Sequence, residues 1–132
     1  MKQTIKNTQR YNFLSAFFAL VLWGSWSFYV NNQQAGFEAG LISGIAQGLC
    51  SFLITLFMTF LIEKQFNFYR SNFTKLILPP IITVLFTGSC LVTVHLLIHT
   101  PDIVKTISPA LTVALIFAFF TNIKLYKQMP AL

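Results

Sequence analysis

The residues that could do chemistry in this chain are few, and most stand alone. His95 and His99 are four apart, the spacing that sets two imidazoles on one helix face and suits two ligands of a single metal ion. A working metal site normally recruits a third ligand, and the acids on that side are only Glu38 and Asp102. The plainer reading is a pair of interfacial histidines with wet polar tips, so no cofactor is assigned and the two histidines stand as a weak metal candidate. Cys50 and Cys90 fall inside apolar stretches, where an isolated thiol acts as a small apolar filler. Neither a nucleophile with an adjacent base, nor a pair of carboxylates within an apolar stretch, nor a phosphate-binding glycine loop, nor a Cys-x-x-Cys unit appears. The expected protein is not an enzyme.

The elements that carry these residues are four long apolar stretches, at 13–30, 40–62, 76–98 and 107–123. Each has about the ~17–25 residues that an α-helix needs to cross ~30 Å of hydrocarbon. Charged residues make up 9% of the chain, against roughly 25% in soluble proteins, too few to cover a water-facing surface. The expected fold is an all-α membrane protein: a four-transmembrane-helix bundle forming one integral membrane domain over 1–132, with the lipid bilayer as its first partner. Lys2, Lys6 and Arg10 before the first stretch resemble the start of a signal peptide, but that stretch exceeds a ~7–15-residue signal core and ends in Val30-Asn31-Asn32-Gln33-Gln34 without a small-residue cleavage pair. An uncleaved first span is expected.

Charge placement orients the bundle. Of nine basic residues, eight precede span one (Lys2, Lys6, Arg10), lie between spans two and three (Lys64, Arg70, Lys75) or follow span four (Lys124, Lys127). Lys105 is the exception, and the first connection, 31–39, has none. The positive-inside rule makes the basic face cytoplasmic, so both termini are expected in the cytoplasm and the chain in a bacterial cytoplasmic (inner) membrane. A net charge of +6 would suggest nucleic acid for a soluble protein; here the spans account for it and no nucleic-acid partner is expected.

Span two carries the clearest pattern. At 100° per residue, Gly40, Gly44, Gly48, Ser51, Thr55 and Thr59 share about a third of the helix circumference. Helices in lipid associate where small side chains let backbones approach, so this stripe is a helix-packing face, meeting a helix of the same chain or of another subunit. Gln47 lies beside it near mid-span, where its amide must bond across to another helix or line a polar path. Thr83 and Thr87 in span three and Asn122 near the end of span four complete that candidate polar path. Trp23, Trp26 and Tyr29 read as an aromatic belt at the outer boundary. In the middle connection, Phe66, Tyr69 and Phe73 fall on one face if it is helical, and with Arg70 they read as a lipid-interface segment. Pro79-Pro80 either open span three or, if its helix starts before Leu76, kink it. Thr100 is the expected N-cap of span four, with Pro101 at its first helical position.

In organisation alone, four short spans in so small a chain resemble the small multidrug exporters and the small flippase subunits for lipid-linked sugars. No motif carries the likeness, and the deep glutamate of the exporters' first span is missing from 13–30, so no family is assigned. Two functions are expected from the residues. The first is a subunit or accessory factor acting through helix packing in a membrane assembly, one that handles lipid, by self-association or with another membrane protein. The second is a small oligomeric transporter or channel whose path is lined by Gln47, the threonines and Asn122.

Overall fold

The structure, a computed structural model, describes residues 4–130; Lys2 and the last two residues of the expected domain lie outside the described residues. Four helices make up the fold, with no strand among the described residues: α1 (Gln9–Ala35), α2 (Phe37–Phe68), α3 (Asn72–Leu97) and α4 (Ile103–Lys127). Each is long and apolar enough to span a membrane. Even α4, with 25 residues, extends about 37 Å at ~1.5 Å per residue, more than the ~30 Å hydrocarbon layer.

The helices outrun the apolar stretches at most of their ends because the polar flanks are themselves helical. Thr8 caps α1 by accepting from the Tyr11 amide at 3.1 Å. Asn31 to Gln34, expected as an outer loop, form the last turn of α1. A single residue, Gly36, then reverses the chain, with φ at +94°, a left-handed backbone that a side chain would oppose. The hairpin between α1 and α2 is therefore as short as it can be.

The middle connection is corrected in the same way. α2 continues through Phe68 and α3 begins at Asn72, so Tyr69, Arg70 and Ser71 are all that remains of the connection. Phe66, four residues on from Ile62 and eight from Met58, points into the bundle rather than into the interface. It is 0% exposed and packs with Met58, Ile62, Ala118 and Leu125 in the apolar core. Phe73 is 74% exposed, Arg70 is exposed and Tyr69 is half-buried, so the outward-facing members of the segment are these three.

α4 is capped by Asp102, not Thr100: the Asp102 carboxylate accepts from the Lys105 amide at 3.0 Å. Thr100 is occupied with ending α3. Its amide donates to the His95 carbonyl at 3.0 Å, and the His99 amide donates to the Leu96 carbonyl at 3.3 Å, with His99 at φ +56°. These two bonds around a left-handed residue are the Schellman arrangement that closes helix C-termini.

α2 contacts all three other helices, α1 and α3 do not touch, and α1 meets α4 only sparsely. Both described chain ends and the α2–α3 connection lie at one end of the bundle, here the terminal end. There Asn67 holds the incoming segment in both directions, accepting from the Ile5 amide at 3.0 Å and donating to its carbonyl at 2.9 Å, while the Asn7 amide donates to Glu63 Oε1 at 3.0 Å. The α1–α2 and α3–α4 connections lie at the other, distal end.

Candidate functional site

Much of the polar interior of the bundle traces to a backbone or packing requirement. Proline is the first source. Pro79 and Pro80 lie inside α3, where they have no amide to give the carbonyls four residues back, Lys75 and Leu76. Asn122 of α4 supplies the missing donor: its Nδ2 donates to both oxygens, at 2.7 and 3.0 Å. Pro109 in α4 likewise leaves the Lys105 carbonyl without its helical donor, and Trp26 Nε1 of α1 donates to it at 3.1 Å. A candidate path residue and a candidate belt residue thus both repair backbone that proline interrupts.

The second source is the glycine stripe. Its glycine half meets α1 of the same chain. A methyl group on Gly40 would come within 2.7 Å of Asn32 Cβ and 2.9 Å of Asn32 Cα. On Gly44 it would lie 2.9 Å from Phe28 Cβ and 3.0 Å from the Gly24 carbonyl, and on Gly48, 3.1 Å from the Leu20 carbonyl. Leu20, Gly24, Phe28 and Asn32 recur every four residues, one face of α1 fitted against one face of α2. Gly24 was missed by the sequence reading, being a lone glycine without a second at helical spacing. Ser51 and Thr55 continue the stripe into the interior, and Thr59, 1% exposed, donates to the Leu56 carbonyl at 2.8 Å.

Toward the distal end two buried networks cross between helices. Gln47, 0% exposed, accepts from His95 Nε2 through Oε1 and donates from Nε2 to Ser51 Oγ at 3.3 Å. His95 Nδ1 is bonded to Thr100 Oγ1 at 2.6 Å, so a neutral ring protonated at Nε2 donates to Gln47 and accepts from Thr100. Asn31, also fully buried, donates to the Ser27 carbonyl and to Thr106 Oγ1, both at 2.9 Å, and accepts from the Asp102 amide at 3.1 Å. That residue ties α1 to the start of α4. It was missed because an Asn-Asn-Gln-Gln run reads as loop.

This geometry separates the two histidines. His95 is wholly buried with both ring nitrogens engaged, so it is no wet interfacial tip, and His99 is exposed beyond the helix end. They share no face because α3 stops at Leu97. Among the described residues no three of His, Cys, Asp and Glu converge as a metal-ligand set. Cys50 and Cys90 are free thiols, the first half-buried and the second exposed.

The remaining path candidates are bonded too. Thr83 accepts from Gln65 Nε2 at 2.8 Å, and Thr87 donates back to the Thr83 carbonyl at 2.9 Å. Of the belt residues, Tyr29 is 53% exposed and Trp23 half-buried at the edge of a cavity.

That cavity, about 430 Å³, lies at mid-height between all four helices. Its floor is buried side chain of α2 and α3: Ser51, Thr55, Met58, Thr87 and Leu91. Its rim is exposed side chain of α1 and α4, including Leu14 at 53%, Phe18 at 66% and Val113 at 44%. The mouth therefore opens sideways through the α1–α4 seam. Above it the seam is closed by Trp26 on Lys105 and Asn31 on Thr106; below it, by a 2.9 Å hydrogen bond between Tyr11 Oη and Thr121 Oγ1, with the Tyr11 and Phe117 rings stacked.

No family model, curated protein or solved structure matches the chain.

Proposed function

We propose that this chain is a non-enzymatic integral membrane protein of the bacterial cytoplasmic membrane, inserted with both termini in the cytoplasm, that serves as a subunit or accessory factor of a lipid-handling membrane assembly. One observation carries the reading. Gln47, His95 and the Asn122 Nδ2 group bond from helix to helix or to proline-interrupted backbone, and between the four helices an apolar recess faces sideways. Among the described residues, the buried amide atoms without a partner are those of Asn7, Asn12 Oδ1, Gln65 Oε1 and Asn122 Oδ1. A bundle built this way is suited to holding a shape in lipid and presenting apolar faces to a partner. It is poorly suited to passing a polar solute from end to end, since such a solute needs free donors and acceptors along the whole height and the unpartnered ones here lie toward the terminal end.

The test has two parts. Reporters active only in the cytoplasm, fused after Lys75 or at the C-terminus, should work, and export-dependent reporters should work at Gln34, because the basic residues set orientation. Extraction of tagged chain from native membranes in a mild detergent should give a complex of fixed stoichiometry with another integral membrane protein. A chain recovered solely as monomer, or reporters in the reverse pattern, would overturn the corresponding half of the reading.

A further inference from the structure

The cavity has the placement of a lipid site. From Leu14 to Trp23 its α1 wall runs about 14 Å along the helix axis at ~1.5 Å per residue, a slot parallel to the chains of surrounding lipid. At about 430 Å³ it falls within the ~300–1,000 Å³ typical of ligand pockets. Water has little to hold it there: the lining is mainly Leu, Ile, Val, Ala, Met and Phe, the Thr87 and Ser51 hydroxyls are already bonded, and the Ser15 and Thr55 hydroxyls are what is left to it. Left empty, the slot would deprive its walls of van der Waals partners. What the bilayer offers at that depth is hydrocarbon, and a slot open along its length and closed by polar latches at both ends admits an extended chain from the side.

The terminal latch adds a charge. Lys124 Nζ lies 3.6 Å from the centroid of the Tyr11 ring, directly below the slot. Side chains lean toward the N-terminus of their helix, so Lys124 reaches up α4 toward the cavity. An aromatic face polarises toward a cation without neutralising it, which leaves the ammonium able to meet an anion. Arg10, exposed in the same turn of α1 as Tyr11, adds a second positive group at that level.

We propose that the α1–α4 slot holds one acyl chain of an anionic phospholipid whose phosphate is met by Lys124 beside Tyr11. Apolar fit alone gives little selectivity, because lipid tails are as apolar as the leucines around them. Shape retains the chain, and the cation selects the headgroup. This inference rests on the chain lying in a bilayer and not on its having a protein partner, so the isolated chain tests it.

The experiment is native mass spectrometry of the purified full-length chain, delipidated and then titrated with phosphatidylglycerol, phosphatidylcholine or palmitate. The expected result is one phosphatidylglycerol per chain, with phosphatidylcholine and palmitate each bound about tenfold more weakly. Ala114→Phe and Ala19→Phe, filling the slot from opposite walls, should each weaken phosphatidylglycerol binding by about tenfold while melting at the wild-type temperature. Lys124→Gln should bring phosphatidylglycerol down to the level of phosphatidylcholine, whereas Lys64→Gln, on α2, should not. Undiminished binding in both filled variants would overturn the slot, and equal affinity of the wild-type chain for the two phospholipids would overturn the role of Lys124. Tight palmitate binding without phospholipid selectivity would identify a free fatty acid site and contradict the proposal.

Discussion

Asn122 stands in for the amide that Pro80 lacks: its Nδ2 donates at 3.0 Å to the Leu76 carbonyl, the oxygen that a non-proline residue at position 80 would have satisfied within α3. The same nitrogen serves the Lys75 carbonyl for Pro79. Asn122→Leu should therefore destabilise the bundle by about 1–3 kcal/mol, the range for stranding buried polar groups. The check is a double-mutant cycle of thermal unfolding in detergent. Pro79→Ala and Pro80→Ala restore the α3 donors, so in that background Asn122→Leu should cost little. Equal cost in both backgrounds would mean the asparagine acts through some other contact.

The fit of α1 to α2 has a steric prediction. Gly44→Leu and Gly48→Leu should lower the melting temperature far more than Leu41→Ala, whose side chain is 43% exposed. Even Gly40→Ala should cost about 1–3 kcal/mol, because the atoms it would meet are the backbone and Cβ of Asn32 and not the end of a flexible side chain. Unchanged melting of both leucine variants would show that α1 and α2 separate without loss.

The Gln47–His95 pair predicts non-additivity. His95→Leu strands the Gln47 carbonyl oxygen in the interior, and Gln47→Leu strands the imidazole, so each should destabilise by about 1–3 kcal/mol. The double variant should cost less than the sum, as two apolar side chains in contact no longer strand each other and leave only the Thr100 and Ser51 hydroxyls without these partners. Thermal unfolding of the four proteins measures this. Strict additivity would show that the two residues act independently. Added zinc should leave these melting temperatures unchanged, since both nitrogens of His95 are already bonded.

How much of this could be read from the residues follows from the range of each interaction. Span positions and the packing stripe are properties of one helix at a time, set by length, hydropathy and a 100° turn, and the structure has four apolar helices with the stripe's glycines against α1. Gln47 bonds across to His95 of α3, one of the two roles its position in the span leaves open. What failed needed a second helix to be known. Trp26 is a belt residue by composition and a backbone donor only because Pro109 sits opposite. Phe66 reads as interfacial until α2 is seen to run six residues past Ile62. His99 shares a face with His95 only on a helix that does not stop, and the signal that it stops, Thr100 ahead of Pro101, reads equally well as the start of α4. The cavity has no sequence signature, because its walls come from four separate segments.

On the reading proposed above, the interior polar residues hold helices together and form no path. The most direct measurement is conductance and solute flux through the purified chain in liposomes, at protein-to-lipid ratios that permit oligomers. The rate should equal that of empty liposomes, with Gln47→Leu and Asn122→Leu altering melting temperature but not flux. Flux well above that background, reduced by Gln47→Leu or Asn122→Leu in variants that still fold, would contradict it and make the chain a carrier or channel.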